Sequence, residues 1–148
     1  MQKLVVVRHG SVGPDNNLDV DGRREVARLG KRLASAFDEG CKIHLLSSDT
    51  PHACESAEIL GKLLGVPYTY HEELWSDLRS QNLKGVFGLV KAHEGADVLI
   101  LVTHRGNMGK FPKFFSQRMW RTKVRSHDVP QGTGWMLDCS VRTLAYLH

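Results

Sequence analysis

Two stretches of the chain, Leu4–Val7 and Val98–Val102, are unbroken runs of aliphatic residues. That is the pattern of strands buried on both faces of a parallel sheet. Between them the spacing changes. Arg23–Phe37 carries Val26, Leu29, Leu33 and Phe37 on one face of a predicted helix, with Asp19 or Asp21 before it as a capping carboxylate. Ile43–Leu46 is a second short apolar run. Thr50 and Pro51 then supply a cap followed by proline in the first turn, and the helix they open runs through Ala53, Ala57, Leu60 and Leu64 to a stop at Gly65. Val66–Tyr70 reads as a third strand, Leu83–His93 and Asn107–Arg118 as helices, and Gly134–Cys139 with Val141–Leu147 as a closing strand pair. Strands alternating with helices predict an α/β fold with a mostly parallel sheet covered on both faces. With no repeat, linker or low-complexity stretch, residues 1–148 read as one domain.

Composition narrows the class. Hydrophobic residues make up 41% of the 148 and charged residues 24%, which excludes a disordered chain. Cys41, Cys54 and Cys139 are odd in number and lack C-x-x-C spacing, so they suggest neither a disulfide framework nor a thiolate metal site. The amino terminus has four consecutive apolar residues before Arg8, too few for a signal peptide or a membrane span, and the expected location is the cytoplasm. The net charge of +4 is uneven. From Val98 to His127 there is no acidic residue, while Arg105, Lys110, Lys113, Arg118, Arg121, Lys123 and Arg125 all fall there. Such a segment attracts anions. Trp120 within it leaves nucleic acid as a minor option, behind an anionic substrate or acidic partner.

In open α/β sheets ligands gather beyond the carboxyl ends of the strands. The first strand here ends in Arg8-His9-Gly10, the second in Ser47-Ser48-Asp49, and the later buried strand in Thr103-His104-Arg105. An unprotonated histidine can attack phosphorus and hold the phosphoryl group covalently. Arginine disperses the charge of the phosphoryl oxygens with its planar fork, and a glycine beside the nucleophile allows close approach. The other histidines, His44, His71, His93, His127 and His148, show no metal-ligand spacing such as H-E-x-x-H, and no metal or cofactor is expected.

These segments together resemble the histidine phosphatase superfamily, which includes the cofactor-dependent phosphoglycerate mutases. VVVRHG is similar to its opening strand and nucleophile motif, and LDVDGRREVARLGKRLA to its first helix. LLSSDTPHACESAEIL is similar to its S-S-P-x-x-R-A-x-x-T-A-E motif, and LILVTHRGNMG to the strand carrying its second histidine. The resemblance covers nearly the whole chain. It implies a three-layer sandwich, His9 as the phosphorylated nucleophile, and Arg8 and His104 as phosphoryl ligands, with Gly10, His52 and Arg105 in the substrate-binding set. His52 stands where the family has its second phosphate-binding arginine, and Arg79 or Arg105 could fill that gap. The family's general acid is a glutamate in an L-x-E context; Ser76 occupies that spacing here, with Asp77 one residue late and Glu73 just before the leucine, and Glu73 is taken as the candidate. The short chain resembles the phosphohistidine phosphatase branch, which implies an exposed phosphoryl group on a small molecule or a phosphoprotein as substrate. The rival expectation is a phosphate-binding regulatory module impaired by His52.

Overall fold

The computed structural model describes every residue from Met1 to His148. Four parallel strands form most of its sheet: β1 (Lys3–Arg8), β2 (Ile43–Ser47), β3 (Tyr68–Tyr70) and β4 (Val98–Thr103). The strand order is β3-β2-β4-β1-β5-β6, where β5 (Gly134–Asp138) runs antiparallel to β1 and β6 (Thr143–Leu147) antiparallel to β5. The two aliphatic runs are therefore central neighbours, paired in register from Lys3 opposite Val98 to Arg8 opposite Thr103.

Alternation along those strands sorts the core into two layers. Val5, Val7, Ile100 and Val102 face α1 (Val20–Ala36) and α2 (Pro51–Leu64), where Val26, Leu29, Leu33, Ala57 and Leu60 complete one apolar cluster. Leu4, Val6, Leu99 and Leu101 face the opposite way. They pack with Val86 and Val90 of α3 (Leu83–Ala92) and Met108, Phe111 and Phe115 of α4 (Arg105–Trp120). The result is a three-layer α/β sandwich, as expected. No helix is long and apolar enough to cross a membrane.

Local chemistry explains where the observed bounds differ from the expected ones. α1 begins at Val20 because Asp19, not Asp21, caps it, accepting from the Gly22 amide at 2.7 Å. β3 is shorter than expected because the Val66 amide is spent on the Gly61 carbonyl closing α2, and Pro67 has no amide to offer a sheet. Gly65, at φ 70°, makes that helix end possible. α4 starts two residues earlier than its hydrophobic pattern suggests and holds Pro112 inside it. Trp120 ends α4 with its ring buried against Phe115, centroids 5.9 Å apart, and is not an exposed stacking platform for a base. Arg118 instead lies over the Phe114 ring at 4.6 Å, beside a groove lined by Lys110, Lys113 and Lys123.

Candidate active site

His9 and His104 leave adjacent strands side by side, and the His9 amide donates to the Thr103 carbonyl at 3.1 Å. Their ring centroids are 5.1 Å apart and both residues are buried, at 6% and 7% exposure. The third ring is that of His52, from the first turn of α2. It lies 4.3 Å from His9 and 5.4 Å from His104. Three segments widely separated in sequence thus bring three imidazoles into mutual contact.

Each ring is held by a hydrogen bond on one nitrogen. His9 Nδ1–H donates to the Gly10 carbonyl at 2.7 Å, which leaves Nε2 as the nitrogen with a bare lone pair. His52 Nδ1–H donates to the Asn16 carbonyl at 3.2 Å, which Asn16 presents from a left-handed conformation with φ 65°. His104 Nε2 shares a 2.8 Å hydrogen bond with Ser48 Oγ at the end of β2. Burial pushes His9 down from 6.5 to about 4, reinforced by His52 and Arg8 and opposed by the bond to Gly10. Burial likewise pushes His104 down to about 3, helped by His9, His52 and Arg8. Burial also lowers His52, against the raising effect of its bond to Asn16. His9 and His104 are neutral at pH 7, and burial biases His52 toward its neutral form.

Ser56 locks this arrangement. Its hydroxyl donates to the His52 carbonyl at 2.8 Å and accepts from the Gly10 amide at 3.1 Å, tying the start of α2 to the end of β1. Gly10 is thereby committed to packing: its amide is occupied, and a Cβ there would lie 2.6 Å from the Gly22 carbonyl oxygen. Its expected place in the substrate-binding set is therefore one of close approach between β1 and α1.

Arg8 donates from one terminal nitrogen to the Val129 carbonyl at 2.8 Å, while its buried Nε has no partner. Burial lowers its pKa, and Asp128 opposes that shift. Arg105 lines the cleft too, but its Nε is paired with Asp128, so it stands half exposed and engaged. The cleft over these groups is about 510 Å³ and is lined by Arg8, His9, Ser76, Asp77, Leu78, Arg79, His104 and Arg105. Glu73 is not among them. It sits on a single 3₁₀ turn over Glu72–Leu74, and the carboxylate that reaches the cleft is Asp77, whose Oδ1 accepts from the amides of Arg79 and Ser80 at 2.8 and 2.7 Å. Arg79 also enters the cleft wall, from an exposed loop.

That loop is fastened to the site by buried polar bonds. Thr103 Oγ1 donates to the Leu74 carbonyl, Asn107 Nδ2 donates to Thr103 Oγ1 at 2.9 Å, and the Asn107 amide donates to Ser76 Oγ at 3.1 Å. Gly106 allows the close approach, since a Cβ there would meet the Asp77 carbonyl oxygen at 1.9 Å. The first turns of α2 and α4 both end at the three rings, and neither Thr50 nor His104 caps them with a side-chain bond. Although Pro51 has no amide and the Asn107 amide is taken by Ser76 Oγ, the remaining first-turn amides add positive potential suited to an anion. Ser48 is visible in the sequence as a strand-end residue; Asn16, Ser56, Asn107 and Asp128 carry no signal there.

No family model matches the sequence, and no curated relative does. Comparison of structures gives clear likenesses. The protein histidine phosphatase SixA complexed with tungstate is 17% identical with a TM-score of 0.69, covering 99% of this chain and 94% of that one. A protein assigned as phosphohistidine phosphatase SixA from Nakamurella multipartitia is 18% identical, TM-score 0.73, covering 92% and 83%. The mycobacterial glucosyl-3-phosphoglycerate phosphatase complexed with VO3 is 15% identical, TM-score 0.69, covering 99% and 96%. At these identities the likeness is one of architecture, and the chain has the fold of these phosphatases over almost its whole length.

Proposed function

We propose that the chain is a phosphatase of the histidine phosphatase superfamily that works through a phosphohistidine at His9. The observation that carries the reading is the His9 ring itself. Its Nδ1 proton is engaged by Gly10, so Nε2 offers a lone pair, and it stands beside Arg8 and His104 under an open cleft. In the first step His9 Nε2 forms a bond to phosphorus as the bond to the leaving group breaks, and the leaving group departs with that electron pair. Water then attacks phosphorus, the N–P bond breaks, phosphate leaves, and Nε2 recovers its lone pair. Arg8, His104 and the open first turns of α2 and α4 provide donors for the phosphoryl oxygens. The step calls for no cofactor.

The substrate class is a phosphoryl group with a good leaving group presented from outside, such as a phosphohistidine on a protein. Two features support this. The cleft is walled by one short loop rather than a cap, and the one carboxylate lining it, Asp77, has an oxygen tied to backbone amides. An alkoxide leaving group would need a stronger proton donor. Basic side chains along α4 and beyond it, among them Lys110, Lys113 and Lys123, favour an acidic partner over nucleic acid. Cys41, Cys54 and Cys139 are free thiols, consistent with a reducing, cytoplasmic setting.

The test is rapid-quench turnover of a phosphohistidine peptide with the whole chain. A burst of leaving group stoichiometric with protein, and an acid-labile phosphate that disappears in His9→Asn, are expected. Phosphate binding without burst or label would instead support the impaired regulatory module.

A further inference from the structure

At the His9 and His104 edge of the cleft there is more imidazole than phosphoryl transfer requires. One ring must attack and one can donate to the phosphoryl oxygens, yet a third, His52, presses against both. We propose that His9, His52 and His104 also form a three-histidine chelate for a divalent transition metal, Zn²⁺ above all, and that the bound ion silences the phosphatase by occupying the nucleophile.

Geometry carries the proposal. One nitrogen from each of the three rings lies within 4.8 Å of the corresponding nitrogens of the others. Tetrahedral Zn²⁺ with Zn–N bonds of 2.0–2.1 Å holds its nitrogens about 3.4 Å apart, so the rings need to close by at most about 1.4 Å. Torsions of three side chains can share that movement. One nitrogen of each ring already has a hydrogen-bond partner, as metal-bound imidazoles do: His9 the Gly10 carbonyl, His52 the Asn16 carbonyl and His104 the Ser48 hydroxyl. The two carbonyls fix the tautomers of His9 and His52, while the Ser48 hydroxyl, able to donate or accept, lets His104 present either a donor or a lone pair.

The chemistry of the donor set agrees. Three neutral nitrogens suit Zn²⁺, Cu²⁺ or Ni²⁺ and not Mg²⁺ or Ca²⁺, which take oxygen ligands. The fourth coordination position is left to water or to an oxygen of a bound phosphate in the cleft. An ion on His9 takes up the lone pair that would attack phosphorus, so metal and covalent phosphoryl group exclude each other. The metal is an inhibitor by this reading, not a cofactor. The chelate itself stands independently of the phosphatase assignment; only the silencing rests on it.

The experiment titrates the chelator-stripped whole chain at pH 7 with Zn²⁺ by calorimetry, and with Co²⁺ followed by its visible absorption. One ion per chain at micromolar affinity or tighter is expected, with the intense Co²⁺ bands of a tetrahedral site. In His52→Arg and His52→Gln the affinity falls by about a hundredfold or more. Two substitutions of different shape guard against a variant that fails to fold, and circular dichroism checks each. His93→Ala, which breaks the separate His44–His93 contact at 2.9 Å, should leave the binding intact. Absence of saturable binding, or undiminished binding in both His52 variants, overturns the proposal. Because binding is read on the metal, a protein without phosphatase turnover still puts the chelate to the test. Where the burst at His9 is present, saturating Zn²⁺ should abolish it; a full burst with the ion bound overturns the silencing alone.

Discussion

Two buried neutral histidines make the fold sensitive to mild acid, and the size of the effect follows from their surroundings. Burial is the largest cause holding His9 at about 4 and His104 at about 3, below the ordinary 6.5. In the unfolded chain both rings return to that ordinary value. At pH 5 the unfolded chain therefore binds two protons that the native protein does not, and protons pull the equilibrium toward unfolding. The stability contributed by the neutral rings is complete above about pH 6.5 and is lost as pH falls toward the folded values. Between pH 7 and pH 5 each ring costs about 2 kcal/mol, or about 4 kcal/mol together. That is a large share of the ~5–15 kcal/mol that stabilises an ordinary domain. The figure depends little on the folded values, because both lie at or below 4 and neither ring takes up much charge by pH 5.

Urea unfolding of chelator-treated protein at pH 7 and pH 5 measures the loss directly. Other groups titrate in the same window, so the informative quantity is the difference between wild type and His104→Asn, which keeps a polar group near Ser48 Oγ. The variant should lose about 2 kcal/mol less than wild type over those two pH units, and His9→Asn should behave similarly. Removing one ring relieves some repulsion on the other, but burial is the larger cause in both and still holds the survivor neutral. Wild type and both variants showing the same loss, within about 0.5 kcal/mol, would refute the reasoning, because the rings would then be protonated equally in both states.

Three further outcomes follow from the same structure. His52→Arg should lower the dissociation constant for inorganic phosphate about tenfold or more, since a permanent charge and a bidentate fork replace a neutral ring; an unchanged constant by calorimetry would mean the fork finds no phosphate there. Gly106→Ala should cut kcat/KM on a phosphohistidine peptide by about tenfold or more, because the new Cβ would lie 1.9 Å from the Asp77 carbonyl and drive the loop carrying Asp77 and Arg79 off the cleft; unchanged kinetics would free that loop of any role. Phe111→Ala, at a fully buried position between α4 and the sheet, should cost about 3–5 kcal/mol in urea unfolding, and a loss under about 1 kcal/mol would contradict the packing described.

What the sequence discloses about this molecule depends on how local the cause is. β1 and β4 are legible because their middle residues, buried on both faces, are all aliphatic. α2 is legible because Pro51 and Gly65 punctuate it. Arg8, His9 and His104 are legible because strand ends in such sheets point at ligands. The general acid that the resemblance implies is not legible in this way: it points to Glu73 beside Leu74, but the 3₁₀ turn ends there and the following loop carries Ser76 and Asp77 to the cleft instead. His52 is the instructive case. By the family resemblance its place looks like an arginine lost, a charge removed from a phosphate site. In three dimensions Ser56 ties its backbone to Gly10, its Nδ1–H donates to the Asn16 carbonyl in a loop 36 residues away, and its ring closes against His9 and His104. Those contacts join residues with no periodic relation, so no local pattern could announce them. They also change the question asked of the residue, from how a site manages without a cation to what three uncharged nitrogens in contact are able to hold.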